Sequence, residues 1–355
     1  MKNIKVHSVF RDYEVEFIED LKGLIKSLNK NYRTHYLIDQ GVWKFYKAKL
    51  EEVKKGNSIY PFEAVESKKT LEEVLNYVKF LLEKKVQKKD VIVVIGGGLV
   101  QDIGSFTAHI LKRGVEWIFI PTTLLAIADS CIGSKSGINV GKYKNQVGSF
   151  HPPSHIYIYS AFLKTLPKLM ILDGIGEIVK HALLKGGKSY KSIKDNLRFL
   201  PSDIKKSEKV IYDSLLIKKE IVEEDELEKN IRRLLNYGHS FGHALEGYTK
   251  NAILHGVAVT IGMDMANYIS MKRGFISQKE FAEISKVLRD YIPYKELKID
   301  DLDTYMEFLS RDKKVVGEEL NAILCKGIGK IKIIKVKLND QLRKELQNYL
   351  AYFNE

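Results

Sequence analysis

Residues 90–101 read Asp90-Val91-Ile92-Val93-Val94-Ile95-Gly96-Gly97-Gly98-Leu99-Val100-Gln101. The five apolar residues form a continuous strand of core length, three glycines end it, and Leu99 to Leu111 reads as a helix. The same rhythm extends on both sides. Tyr36-Leu37-Ile38 is a short apolar run ending at Asp39. Lys69 to Lys85 is amphipathic, with Leu71, Val74, Leu75, Val78, Leu81 and Leu82 at helical spacing, and Trp117-Ile118-Phe119-Ile120 is a further strand stopped by Pro121. Strand–helix–strand alternation of this kind predicts an α/β domain with a mostly parallel sheet.

From about Leu163 the texture changes. KLMILDGIGEIVKHALL, the long segment ending in NYGHSFGHALEGY, and HGVAVTIGMDMANYISMKRG all read as helices. Pro152-Pro153 and Pro167 mark loops near the changeover. The expected organisation is an α/β domain over 1–166 and a mainly α-helical domain over 167–355, in line with roughly 150 residues per domain for a 355-residue chain.

Apolar residues make up 45% and charged residues 29% of the chain, which excludes collagen-like, disordered and disulfide-scaffold classes. No apolar run approaches the roughly 18 residues of a membrane span, so no membrane partner is expected. The amino terminus has scattered charges and no apolar core, unlike a secretory signal. Two distant cysteines, Cys131 and Cys325, match neither a disulfide framework nor a metal motif, so the expected location is cytoplasmic. The net charge of +13 favours anionic partners. The lysines are interspersed with glutamates rather than massed, and no nucleic acid partner is expected.

Glycines between a strand and a helix let a backbone approach a pyrophosphate at a helix amino terminus. GGGLVQD is not the usual dinucleotide fingerprint, and the turn alone fits a ligand-free connection equally well. Asp39 fits either a ribose hydroxyl or a helix cap. Nine histidines occur in the chain, three of them between His239 and His255, where uniform placement would put roughly half of one. His239 and His243 share a helix face, and His255 opens the next apolar helix. With Glu177, a carboxylate in an apolar helix, they make a zinc-type cluster or a set of core histidines. Lys180 follows Glu177 on the same face. Arg232, Asn236, His239 and His243 read as one face at steps of four, three and four. With Lys135, Lys144, Asn145 and Arg113 they suit a small substrate bearing phosphate and carboxylate.

These residues together resemble the 3-dehydroquinate synthases and their relatives, the sugar phosphate cyclases. The resemblance runs from about Asp39 to Gly329, through ESKKTLEEV, GGGLVQDIGSF, KRGVEWIFIPTTLLAIADSCIGSKSGIN, KNQVGSFHPP, FLKTLP, GEIVKH, IRRLLNYGHSFGHALE, LHGVAVTIGM and RDKKVVG. It implies that Glu177, His239 and His255 bind Zn2+ or Co2+, with His243 facing substrate. It assigns Asp39, Glu66, Lys69, Gly97, Gly98, Asp102, Thr122, Thr123, Asp129 and Lys144 to NAD. Lys135, Asn145, Asn236, His243 and Lys180 become substrate contacts, and Lys218 with Arg232 grips a carboxylate. Arg113 comes from the neighbouring subunit of a homodimer. One of Lys313 and Lys314, preferably Lys314, reaches the phosphate. The departures are Gln101 and Ser134 for glycines, FHPP, and NYGHS.

The implied activity is a lyase of the shikimate route to aromatic amino acids. NAD transiently oxidises a metal-bound ring hydroxyl of 3-deoxy-arabino-heptulosonate 7-phosphate, phosphate is eliminated, the hydride returns, and an intramolecular aldol step closes 3-dehydroquinate. The alternatives are a sibling cyclase for another sugar phosphate and a metal-dependent polyol dehydrogenase. A basic binding protein would leave the His/Glu cluster unexplained.

Overall fold

The computed structural model describes residues 3–141, 143–312 and 314–355. The chain divides into two compact units, one comprising 1–166 with 219–226 and the other 167–218 with 227–355. The return of 219–226 to the first unit was absent from the expectation of two contiguous domains.

The first unit is built on seven strands, β1 (Asn3–Val6), β2 (Tyr13–Phe17), β3 (Thr34–Asp39), β4 (Ser58–Phe62), β5 (Val91–Gly96), β6 (Glu116–Pro121) and β9 (His155–Ile158), in the order β1-β2-β9-β6-β5-β3-β4. Only β1 runs antiparallel to its neighbour. Every residue of β5 is buried, as an apolar run at the centre of a parallel sheet must be. Its side chains alternate. Val91, Val93 and Ile95 join Tyr36, Ile38, Ile118 and Ile120 against α1 (Leu21–Asn31). On the other face α4 (Gly98–Ile110) comes so close that a Cβ on its Gly104 would lie 2.4 Å from Val94. Each such fully buried aliphatic side chain contributes about 1.5–3 kcal/mol.

Parallel strands end at the same edge. The register pairs Ile38 with Ile95 and Gly96 with Pro121. Asp39, the glycine turn and Thr122 therefore emerge from adjacent strand ends, where ligands bind in open α/β sheets. Helix α2 (Gln40–Tyr46) follows Asp39, and a hairpin of β7 (Ile138–Val140) and β8 (Tyr143–Val147) follows β6. Helix α3 (Leu71–Glu83) forms where its periodicity predicts, but it buries Val74, Tyr77 and Leu81 and leaves Leu71, Leu75 and Leu82 exposed. Tyr77 sets this rotation, because its ring packs on Tyr60 of β4.

The second unit holds α5 (Lys168–Lys185), α6 (Gly187–Asn196), most of α7 (Ile204–Glu224), α8 (His239–Tyr248), α9 (His255–Lys272), α10 (Gln278–Arg289), α11 (Leu302–Ser310) and α12 (Asp340–Asn354). Helix α9 is its centre, buried from Gly256 to Ser270. A small antiparallel sheet of β10 (Val315–Val316), β11 (Glu319–Cys325) and β12 (Ile331–Lys337) adds to the helices. The mainly helical expectation did not contain it.

Candidate active site

In the first unit, candidate groups from several elements meet through their own side chains. Lys69 is buried, and its Nζ donates to Asp102 Oδ2 at 3.1 Å and to Asn145 Oδ1 at 2.7 Å. Asp102 Oδ1 accepts the Gly137 N–H at 3.0 Å. Burial raises the Asp102 carboxyl above its ordinary value, against the pull of Lys69. Asn139 donates to Glu66 at 2.8 Å and accepts the Asn145 N–H at 3.0 Å. Asp39 caps α2, accepting from Gly41 N at 2.7 Å and Val42 N at 3.3 Å. Gly97 caps α4 with no side-chain bond, and a Cβ on it would lie 2.8 Å from Thr123. The Thr122 N–H donates to Gly96 O at 3.0 Å. Thr123 Oγ1 accepts the Ala126 N–H at 3.2 Å, at the start of the turn Ala126–Ser130 that carries Asp129. Lys135 lies over the Phe150 ring, and Lys144 is exposed on β8. Arg113 is exposed beyond the end of α4, within Leu111–Arg113.

In the second unit, backbone packing brings the metal-type residues together. A Cβ on Gly256 would lie 1.8 Å from Asp173 O, and one on Gly176 2.2 Å from Gly256 O. Glycines at both positions let α5 and α9 touch backbone to backbone. This sets Glu177 of α5 beside His255, the first residue of α9, with Oε1 3.5 Å from Nε2. The Asp173 carboxylate caps α9 through Gly256 N at 2.6 Å, and burial pushes its pKa up to about 6. Gly238, at φ +78°, ends the preceding segment, and α8 starts at His239, whose Nε2 is 3.8 Å from the same Glu177 oxygen. Ligands about 2.0–2.1 Å from a tetrahedral ion stand about 3.3 Å apart. These spacings therefore fit one carboxylate and two imidazoles around a divalent metal.

The outer face of each ring is also held. His239 Nδ1 donates to Tyr237 O at 3.2 Å, and His255 Nδ1 to Glu246 Oε2 at 3.1 Å. His243 adds a third ring, 5.3 and 5.5 Å from the other two between centroids. Glu177 is ion-paired with Lys180, and both are buried. Burial and the Lys180 charge hold His239 well below the ordinary histidine value. Burial and the neighbouring His255 bring His243 down to about 4. Burial opposes charge on His255 too, but the Glu246 charge and the hydrogen bonds that the ring donates to Glu177 and Glu246 push it up to about 10.

The expected single face from Arg232 to His243 does not form. Arg232 and Asn236 lie in the 3-10 turn Ile231–Asn236, and the left-handed Gly238 separates that turn from α8. Arg232 is buried, as is Lys218 on α7. Asn236 and Lys314 line a cavity of about 280 Å3 with Arg233 and Glu228. Lys314 pairs with Asp312 at 2.8 Å, while Lys313 lies outside the described residues.

Sequence reasoning missed Glu228, which accepts from Asn236 at 2.5 Å and sits in a mixed-charge run with no periodic signal. It also missed Glu246, although that residue stands three and seven positions after His243 and His239, on their helix face. Each departure at Gln101, Ser134 and Tyr237 has a partner. Gln101 exchanges hydrogen bonds with Ser130 beside Asp129, at 2.6 and 2.8 Å. Ser134, at φ +62°, donates to Glu226 at 2.6 Å. The buried Tyr237 hydroxyl donates to Asn267 on α9.

The 3-dehydroquinate synthase N-terminal family pattern matches residues 59–173 and the corresponding C-terminal pattern 174–315. The 3-dehydroquinate synthase of Dictyoglomus thermophilum is 35% identical over 346 residues, covering 94% of this chain and 95% of that protein. Among solved structures, a 2-deoxy-scyllo-inosose synthase complexed with carbaglucose-6-phosphate, NAD+ and Co2+ has a TM-score of 0.88 at 23% identity, covering 98% of this chain and 99% of its own. A 2-epi-5-epi-valiolone synthase from Streptomyces hygroscopicus with NAD+ and Zn2+ bound has a TM-score of 0.85 at 25% identity, covering 96% and 97%. The protein is a sugar phosphate cyclase, a lyase that eliminates phosphate and forms a carbocycle. Within that class, the chain belongs to the 3-dehydroquinate synthase family.

Proposed function

We propose that this chain converts 3-deoxy-arabino-heptulosonate 7-phosphate to 3-dehydroquinate and phosphate, with NAD held by the first unit and Zn2+ or Co2+ by Glu177, His239 and His255. The observation that carries the reading is the burial of two cations, Lys218 and Arg232, in the unit that holds the histidine cluster. Arg232 offers a planar two-point donor that matches a carboxylate, and Lys218 adds a second cation for it. The 35% identity with a curated 3-dehydroquinate synthase along nearly the whole chain supports the same substrate.

When bound, the metal lowers the pKa of a substrate hydroxyl and NAD takes up and returns a hydride. The protein's own residues do the rest. The uncapped turn at Gly97 and Gly98 leaves room and N–H donors for a pyrophosphate at the start of α4. Asp39, Glu66, Lys69, Asp102, Thr122, Thr123, Asp129 and Lys144 hold the remainder of NAD. The neutral ring of His239 is ready to ligate without first losing a proton. Lys180 offsets the Glu177 charge. Lys218 and Arg232 fix the substrate carboxylate, while Lys135, Asn145, Asn236, His243 and Lys314 hold phosphate and hydroxyls in register. The assembly is a homodimer in which Arg113 serves the partner's site. Among the described residues, no helix is long and apolar enough to cross a membrane.

The test supplies NAD, metal and a panel of acidic and neutral sugar phosphates, and follows phosphate release and product mass. Arg232→Ala is expected to lose about 2–5 kcal/mol of transition-state binding on the acidic sugar and much less on neutral ones. Equal losses on both, or a wild-type preference for a neutral sugar, would assign the chain to a sibling cyclase. Steady NADH accumulation would mark a dehydrogenase.

A further inference from the structure

We propose that Glu246 is the positioning residue of the metal centre: its carboxylate fixes the ring of His255 so that Nε2 faces the metal, and it keeps His243 from taking that place. The inference rests on the metal assignment above. Glu246 lies on α8, is nearly inaccessible to solvent at 7% exposure, and reaches across to the first residue of α9. A carboxylate only accepts, so the 3.1 Å contact commits the proton of His255 to Nδ1. Nε2 is then the nitrogen left for the ion to claim, and it faces Glu177 Oε1 at 3.5 Å. His239 reaches the same state through the carbonyl of Tyr237. One ring is therefore oriented by the backbone and the other by a side chain, and only the second can be undone by substitution.

The same Glu246 oxygen stands 4.0 Å from His243 Nε2. All three imidazoles offer nitrogens within 4.8 Å of one another. Glu246 thus lies between the ring that ligates and the ring that stays available to substrate. Without it, His255 is free to turn, and the lone pair of His243 competes for the ion. An outer carboxylate of this kind is worth about 10–100-fold in metal affinity.

The experiment loads metal-free full-length protein with Co2+. It reads affinity by chelator competition and coordination by visible absorption. Glu246→Ala is expected to bind about 10–100-fold more weakly, with an altered cobalt spectrum, and adding His243→Ala is expected to change that spectrum again. Glu246→Gln keeps an oxygen acceptor for Nδ1–H and is expected to retain the wild-type spectrum and most of the affinity. If Glu246→Ala fails to fold, Glu246→Asp, whose shorter side chain withdraws the acceptor, is expected to bind more weakly than Glu246→Gln. Wild-type affinity and spectrum in Glu246→Ala, or in Glu246→Asp in its place, would overturn the proposal. A lowered apo melting temperature with an unchanged spectrum would do the same, since that is what a purely structural role produces. His239→Ala separates the two readings: if it also binds cobalt like wild type, the metal assignment itself fails.

Discussion

Lys69, Asp102 and Asn145 come from separate parts of the first unit and are held by bonds between their own side chains. Glu177 and His255, in the second unit, are set by two helix backbones in contact at Gly176 and Gly256 before any side chain acts. A polar network of the first kind depends on each partner, because a buried group left unpaired is costly. A backbone-packed site of the second kind has no slack, because the interior is close-packed and an added methyl group must displace a helix. A cofactor gripped along its length tolerates the first arrangement. A metal ion, whose ligands must converge to within a few tenths of an ångström, requires the second.

The largest expected effect is that of His239→Ala, which should abolish metal binding and lower turnover by at least about 1000-fold, roughly 4 kcal/mol, with the fold intact by circular dichroism. Full metal occupancy in that variant would remove the second unit from the comparison. Gly256→Ala should come next. Its methyl group meets the Asp173 carbonyl, and a stability loss of about 3 kcal/mol is expected in urea unfolding, together with weakened metal binding. A neutral result would show that α5 and α9 can part without disturbing Glu177. In the first unit, Lys69→Met leaves Asp102 without its cation and should weaken NAD binding by about 2 kcal/mol in calorimetry, with metal affinity untouched. Loss of metal as well would break the contrast between the units.

The smallest effect concerns His35. It is fully buried between Ser58 at 2.7 Å and Asp90 at 3.0 Å, and burial lowers its pKa below 6.5 despite the Asp90 hydrogen bond. As pH falls through 6.5 the unfolded chain takes up a proton that the folded chain does not, so stability conferred at neutral pH is lost on acidification. The stability difference between wild type and His35→Asn should shrink by about 1 kcal/mol from pH 7 to pH 5.5. A difference that stays constant would mean that His35 titrates alike in the folded and unfolded chains, and one that grows would mean that the folded state holds it protonated.

By itself the sequence determined the parallel α/β unit, the glycine turn after β5, the helices α5, α8 and α9, and the histidine density between residues 239 and 255. These rest on local regularities: an unbroken apolar run, helical spacing, glycine before a helix, and imidazoles one turn apart. The small sheet of β10, β11 and β12 was also foreshadowed, in the alternation of IKIIKVK, but a short alternating run next to long helical patterns is easily passed over. Only the tertiary structure decided that Leu71, Leu75 and Leu82 stay outside while Tyr77 goes in. It alone showed that Arg232 and Asn236 leave the helix of His239, that Glu246 meets His255, and that Glu228 meets Asn236. The spacing of residues along a chain is a property of neighbours, and it carries over directly into helices and strands. Which face is covered, and which carboxylate meets which imidazole, depends on groups brought together from distant positions by the burial of everything between them.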